Sequence, residues 1–265
     1  MDKLEYHIVK VGGGILDDSE KRNVLLTNFA KLTGNKILIH GGGKLATSFA
    51  ERLGIPVQMK EGRRITDDQM IDVVTMVYAG LVNKQLVAGL QKSGINALGL
   101  TGADGNLMMA SKRPVKNNVD FGWVGDPLKV NSVLILNLMK DGVTPVIAPL
   151  THNGDGHLLN TNADTMASTI AYSLVPQFHV KLTYVFELDG VLENVSDPLT
   201  LIQRINPQYF ERLKKQGKIA QGMIPKLDNA FHAIEKGVSS VNIINYESLH
   251  LIEDVNFSNY TQISR

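Results

Sequence analysis

Two glycine triplets constrain this chain more than any other feature. Each closes a short apolar run and opens a segment with helical patterning. Residues 7 to 14 read HIVKVGGG, with Lys10 near the end of a strand pattern and Gly12, Gly13 and Gly14 following at once. Asp17 to Leu32 then reads as a helix. Residues 36 to 43 repeat the plan: KILIH, then Gly41, Gly42 and Gly43, then a helical pattern from Lys44 to Leu53. Glycine at a strand–helix turn lets backbone N–H groups converge on an anion without Cβ obstruction. Either turn alone is compatible with a purely structural role. As a pair in consecutive β–α units they would lie side by side at the carboxyl edge of a parallel sheet, where open α/β folds bind ligands. Lys10 adds the positive charge that a phosphoryl group requires. The lysine precedes the glycines and no GKS or GKT follows them, which excludes a Walker A loop. The GxGxxG pattern with a downstream ribose-binding acid is missing as well.

The length of 265 residues suits one large domain or two small ones. A formal net charge of +1 gives no reason to expect nucleic acid or membrane as a partner. Without cysteine there is no thiol nucleophile, disulfide or cysteine–zinc site, and the expected location is the cytoplasm. The N-terminus lacks a secretory apolar region, and no apolar run is expected to reach membrane-spanning length. The seven histidines show no metal-ligand spacing, and His40 reads as a packed strand-end residue. No metal ligand is predicted.

Val57 to Ile65 reads as a hairpin around Gly62 that carries Arg63 and Arg64. The arginine fork fits a carboxylate through two parallel hydrogen bonds, and solvated surface charge is the alternative. Thr66 is the predicted N-cap of a long helix, Asp67 to Gln91, whose apolar stripe belongs to a core or a dimer surface. The segment NTNAD places Asn160, Asn162 and Asp164 just before a helix that runs to about Ser173. Capping needs one such residue, or two, which leaves one for a ligand. Beyond residue 175 come a strand, Val180 to Phe186, the turn ELDGV from Glu187 to Val191, and the segment GMIPK. There Gly222, Met223 and Pro225 lead into a helix with Lys226 in its first turn, where the helix dipole disfavours a cation. A soft boundary near 175 divides lobes 1–174 and 175–265.

These motifs, in this order and spacing, resemble the amino acid kinase family, in the branch whose members phosphorylate N-acylated glutamate. The resemblance covers nearly the whole chain and rests on HGGGK, GRRITDDQ, NTNAD and GMIPK. It implies a three-layer αβα sandwich with a central, mostly parallel open sheet in two lobes. The first lobe would bind N-acyl-glutamate and dimerise, and the second would bind ATP. The implied reaction is transfer of the ATP γ-phosphoryl group to the γ-carboxylate of N-acetyl-L-glutamate, a step of arginine biosynthesis. N-Succinyl-L-glutamate is the alternative substrate, and a non-catalytic sensor of the same fold is the weaker alternative. By the same resemblance Lys10, Asp164 and Lys226 are catalytic. Gly42, Gly43, Arg64, Asn160 and Asn162 bind the substrate. Gly12, Gly13, Gly41, Glu187, Leu188, Gly190, Gly222 and Met223 bind ATP and its phosphates, with the base and ribose near 188–192 and 219–226. Mg²⁺ is implied between the phosphates.

The chain departs from the family pattern at three places. FELDG puts Glu187 and Leu188 where an acidic TDVDG-like loop is common. Arg63 stands where an apolar residue is usual, and Lys44 where a neutral one is. The two extra cations single out Arg63 and Lys44 as acyl-selectivity residues, suited to an acyl group with its own carboxylate. Arginine-inhibited members carry an added N-terminal helix that links dimers into hexamers. With few residues before its first strand, this chain is expected to be a homodimer without arginine feedback.

Overall fold

The computed structural model describes residues 4–60, 62–219 and 222–265. In chain order it opens with strand β1 (Glu5–Val11), a short helix α1 (Gly13–Asp17) and helix α2 (Ser19–Lys31). The single predicted helix is broken at Asp18. That side chain accepts hydrogen bonds from the Glu20 and Lys21 amides, at 2.8 and 3.2 Å, and restarts the helix as its N-cap. The second unit repeats the order as β2 (Asn35–His40) and α3 (Gly43–Arg52). A hairpin follows, β3 (Met59–Lys60) and β4 (Arg63–Arg64), and then the long helical run α4 (Asp68–Lys92).

The cap of α4 is Asp67, not Thr66 as predicted. The Asp67 carboxylate accepts from the Met70 amide at 2.8 Å, while the buried Thr66 hydroxyl takes part in side-chain contacts instead. Thr75–Val82 within α4 is π-helical, which apolar spacing alone does not foretell. By length and composition α4 could cross a membrane, contrary to the sequence expectation, yet 44% of its most apolar window is buried inside the fold. Met70, Val73, Val74, Val77, Tyr78, Val82, Leu86 and Leu90 of α4 are buried as core.

The remaining elements are β5 (Ala97–Leu100), β6 (Met108–Lys112), β7 (Val124–Val130), α5 (Ser132–Lys140), β8 (Thr144–Ile147), β9 (Leu150–His152), β10 (Leu158–Thr161) and α6 (Ala163–Leu174). Then come β11 (His179–Phe186), the short strands β12 (Val191–Leu192), β13 (Leu201–Ile202) and β14 (Arg204–Ile205), α7 (Pro207–Lys215), α8 (Ile224–Glu235), β15 (Ser240–Asn245) and β16 (Thr261–Ile263).

The fold is α/β with mostly parallel sheet, and it separates into two compact units. One combines residues 1–37 with 167–265; the other is 38–166. The division is discontinuous because β1 pairs in parallel with β11 along its whole length, from Glu5 opposite His179 to Val11 opposite Val185. In that unit β11 pairs in parallel with β15, and only β16 runs antiparallel to β15. The core strands are apolar on both faces, as β1 (Ile8, Val9, Val11) and β11 (Val180, Leu182, Val185) show. In the other unit β2, β8 and β5 are parallel neighbours. There β6, β7, β9 and β10 close into a four-stranded ring.

Candidate functional site

In the first unit β1 delivers Lys10 to the carboxyl end of the strand, where the side chain is only 4% exposed. Gly12 caps α1 in an extended conformation, and its amide donates to the Val185 carbonyl at 3.4 Å. Lys10, Gly12, Gly13, Gly14, Phe186, Glu187 and Lys226 line one cavity of about 200 Å³. Both lysines approach the same aromatic ring. The Lys10 Nζ lies 5.8 Å from the centroid of Phe186 and the Lys226 Nζ 5.3 Å, within cation–π range. Lys226 is in the first turn of α8, its amide bonded to the Met223 carbonyl at 3.1 Å. The pattern of two cations, glycine amides and an aromatic floor suits a bound polyphosphate.

Glu187 brings a carboxylate into the lining of the same cavity. It is ion-paired with Lys21, which projects from α2. The turn behind it is held by Asn245, whose Nδ2 donates to the Glu187 carbonyl and to Asp189 Oδ1, both at 3.1 Å. Gly190 is required there, since a Cβ would come within 2.3 Å of the Thr261 hydroxyl. Leu188, Gly190, Gly222 and Met223 are not among the residues that line this cavity. Residues 220 and 221 of the predicted nucleotide segment lie outside the described residues.

In the second unit a cavity of about 220 Å³ collects Gly41, Gly42, Gly43, Arg63, Arg64, Asn160 and Asn162, together with Tyr78 and Arg113. Gly42 allows the Tyr78 ring to close on the turn, where a Cβ would meet Cδ1 at 2.9 Å. The turn is braced from below by His40, which is fully buried. Its Nδ1–H donates to the Gly41 carbonyl at 2.7 Å, and Asn83 Nδ2 donates to Nε2 at 3.2 Å and to the Val146 carbonyl at 2.9 Å. Burial depresses the His40 pKa to about 4, so the ring is neutral.

Arg64 is buried, and its Nη2 donates to the Gly43 carbonyl and to the Thr47 hydroxyl, both at 2.8 Å. Burial raises the pKa of Tyr78, and the adjacent Arg64 guanidinium opposes that rise. The guanidinium is therefore fixed in the cavity wall before any ligand arrives. Asn160 Nδ2 donates to the Thr66 hydroxyl at 3.0 Å. Asn162 is the cap of α6, accepting from the Thr165 amide at 2.9 Å, and it also lines the cavity. Asp164 falls in the first turn of α6 and is only 6% exposed, far more buried than a dipole-complementing acid requires. Lys44 is exposed on α3 and is not among the lining residues, whereas Arg63 is.

Sequence reasoning missed Phe186, Tyr78 and Arg113. Phe186 precedes Glu187 directly, so its place at a strand end beside the ELDG turn was a readable signal. Tyr78 sits in a helix stripe and Arg113 just past the end of ring strand β6, with no local pattern to mark them. Among the described residues no group of three His, Asp or Glu side chains is placed to hold a metal ion.

Residues 5–245 match the model of the amino acid kinase family. A Cytophaga hutchinsonii protein named acetylglutamate kinase is 55% identical over 249 residues, 94% of either chain. One of the same name from Bacteroides fragilis is 52% identical over 94% of this chain and 95% of its own. Among solved structures, a Streptococcus mutans protein aligns with a TM-score of 0.80 at 25% identity, covering 98% of both chains. The N-acetylglutamate synthase of Neisseria gonorrhoeae shares the fold at a TM-score of 0.83 and 22% identity, over all of this chain and 60% of that one.

Proposed function

The chain belongs to the amino acid kinase family, and from that membership we propose that it is an acetylglutamate kinase. It transfers the γ-phosphoryl group of ATP to the γ-carboxylate of N-acetyl-L-glutamate, in arginine biosynthesis. The single observation that carries the chemistry is the pair of lysines, Lys10 and Lys226, over one aromatic ring in a glycine-walled cavity. Relatives at 50–55% identity named acetylglutamate kinase support the substrate.

A carboxylate oxygen forms the new O–P bond as the bond from phosphorus to the departing ADP breaks. The nucleophile carries no proton, so no general base is needed. The problem is one of position and charge. Lys10 and Lys226 neutralise the equatorial and leaving-group oxygens, and Gly12, Gly13 and Gly41, which carry no Cβ, let the backbone come close to the phosphates. Arg64 clamps the α-carboxylate, Asn160 and Asn162 hold the N-acyl-amino portion, and the Gly42 and Gly43 amides meet the γ-carboxylate. Asp164 acts as an organiser of the site. Glu187, Leu188, Gly190, Gly222 and Met223 border the nucleotide. Mg²⁺ would be held by the oxygen-rich ATP phosphates, not by the cations of the cavity wall, and would offset the phosphate charge.

The N-terminal lobe to residue 174 takes the amino acid and forms a homodimer, residues 175–265 take ATP, and the enzyme works in the cytoplasm. The retention of Lys10, Asp164 and Lys226 speaks against a sensor that has lost turnover. Trapping the acyl phosphate with hydroxylamine tests the reading. ATP-dependent hydroxamate is expected with N-acetyl-glutamate and not with free glutamate; no hydroxamate from any N-acylated glutamate would reject it.

A further inference from the structure

The glycine turn of residues 41–43 is held by two buried side chains, His40 and Asn83, neither of which lines the cavity. Hydrogen-bond directions fix their roles. The Val146 carbonyl can only accept, so the Asn83 atom 2.9 Å from it is the amide nitrogen, Nδ2. At the other end of the same amide, Oδ1 accepts from the Lys84 ammonium at 3.2 Å, which requires the same orientation. Nδ2 therefore also faces His40 Nε2, at 3.2 Å, as a donor. Nε2 is then the bare nitrogen of the neutral ring, and the imidazole proton resides on Nδ1, 2.7 Å from the Gly41 carbonyl. One side chain selects the tautomer of another, and that tautomer decides which way a peptide unit faces.

The Gly41–Gly42 peptide is trans. In a trans peptide the C=O and the following N–H point in opposite directions. With the Gly41 carbonyl tied to His40, the Gly42 N–H faces away from that ring. Among the described residues nothing accepts a hydrogen bond from it, and Gly42 lines the cavity.

The other clamp on the turn comes from the same helix. The Asn83 amide donates to the Tyr78 carbonyl, five residues back, at the end of the π-helical stretch. Bonding of that kind brings residues five apart onto one side, where an α-helix aligns those three or four apart. Tyr78 can therefore meet Gly42 while Asn83 meets His40. On β5, Gly99 leaves the necessary space, since a Cβ there would overlap Asn83 Oδ1.

We propose that His40 and Asn83 are positioning residues of the phosphoryl transfer, which aim the Gly42 N–H into the cavity as a fixed donor to the γ-carboxylate while the new O–P bond forms. The π-helical stretch is the device that brings Asn83 to the turn. The inference rests on the kinase reading given above and adds to it two residues that touch neither substrate. A donor set in place beforehand needs no reorganisation during the reaction. Once the carbonyl is untied, the peptide rotates and the donor is misaimed for part of the time.

The test uses the full chain with ATP and N-acetyl-glutamate in steady-state kinetics. Asparagine places its amide where histidine has Nδ1, and glutamine places it near Nε2. His40→Asn can thus still donate to Gly41, whereas His40→Gln keeps the Asn83 side and loses the Gly41 side. For His40→Asn, kcat is expected within about fivefold of the natural protein. For His40→Gln it should be about 10- to 100-fold lower, a loss below that of a donor removed outright. KM for ATP should stay within about twofold in both. Packing alone predicts the opposite order, because glutamine is nearer to histidine in size; that order, or equal losses, overturns the inference. Asn83→Leu leaves His40 in place and should lower kcat about 3- to 30-fold, between full aim and a lost donor. An unchanged kcat there removes Asn83 and overturns the inference as stated. A readout free of activity is the ¹⁵N spectrum of the natural protein, with the His40 signals assigned by their loss in His40→Asn. Nδ1 should be protonated and Nε2 bare; a proton on Nε2 overturns the inference even where a variant fails to fold. Absence of any hydroxamate from N-acetyl-glutamate with the natural protein overturns the kinase reading, and the inference with it.

Discussion

The Lys226 Nζ sits 5.3 Å from the centroid of the Phe186 ring, and Lys10 approaches the same ring at 5.8 Å. One aromatic ring thus meets two like charges that line one cavity. Replacing the ring by an aliphatic side chain of similar bulk keeps the packing and removes the quadrupole. Phe186→Leu is expected to lower kcat about 3- to 30-fold, the range of a cation–π contact worth about 0.5–2 kcal/mol. KM for the amino acid substrate should change little, and Phe186→Tyr should restore most of the rate. Steady-state kinetics in both substrates would check this.

Removal of either lysine should cost far more. Lys10→Ala and Lys226→Ala are each expected to lower kcat by about 10²- to 10³-fold, the usual loss for one preorganised electrostatic donor. Thermal unfolding should show the fold intact, because the cavity leaves room for solvent to replace the ammonium group.

Lys21 pairs with Glu187, a carboxylate in the lining of the cavity proposed to take the ATP phosphates. Lys21→Ala should raise KM for ATP several-fold with kcat nearly unchanged. Adding Glu187→Gln to that variant should bring KM back, since the repulsive charge is then gone. Failure of the double variant to recover would show that Lys21 acts on ATP by another route.

Arg64 is pinned by Gly43 and Thr47, so lysine cannot reproduce its fork. Arg64→Lys should raise KM for the N-acyl-glutamate about 10- to 100-fold, the scale of a charged hydrogen bond worth about 1.5–3 kcal/mol. KM for ATP should stay close to that of the natural protein in the same kinetic experiment.

His40 links acidity to stability. Its folded pKa of about 4 lies below the ordinary value of 6.5, so the unfolded chain takes up its proton first as pH falls. The stabilisation is complete above pH 6.5 and is lost as pH falls toward 4, on the order of 3 kcal/mol by linkage. Burial also lowers the pKa of His7, opposed by Glu5 and Glu253, which adds a loss of the same sign. The midpoint of thermal unfolding should therefore drop between pH 6.5 and 4, and Arg64-containing turn geometry should persist above that window. In His40→Gln, which keeps a donor and an acceptor, the drop should be shallower; an unchanged slope would assign the effect to other groups.

Much of the architecture could be read locally. Strand, glycine turn and helix follow one another in both N-terminal units because each signal spans only a few residues. Lys10, Arg64, Asn162 and Lys226 were legible for the same reason, each beside a turn or at a helix start. What escaped depends on contacts distant in the chain. The choice of Asp67 over Thr66 as cap follows from where Thr66 is drawn by Asn160. Arg113 enters the site only because β6 pairs with β7 and the ring closes. The π-helical stretch of α4 and the grouping of residues 1–37 with 167–265 likewise have no signature within a short window.

That grouping has a consequence for how the protein is made. On a ribosome the strand that bears Lys10 emerges first, yet the strand it pairs with, β11, begins only at His179. The β11 side of β1 must therefore stay unpaired while residues 38–166, which have their own core, are completed. Long-range parallel pairing of this kind is slow because loop closure precedes any gain. The glycine-flanked lysine strand is thus synthesised long before its β11 partner, so a chain that ends before residue 179 lacks the Phe186, Glu187 and Lys226 wall of the cavity that Lys10 lines.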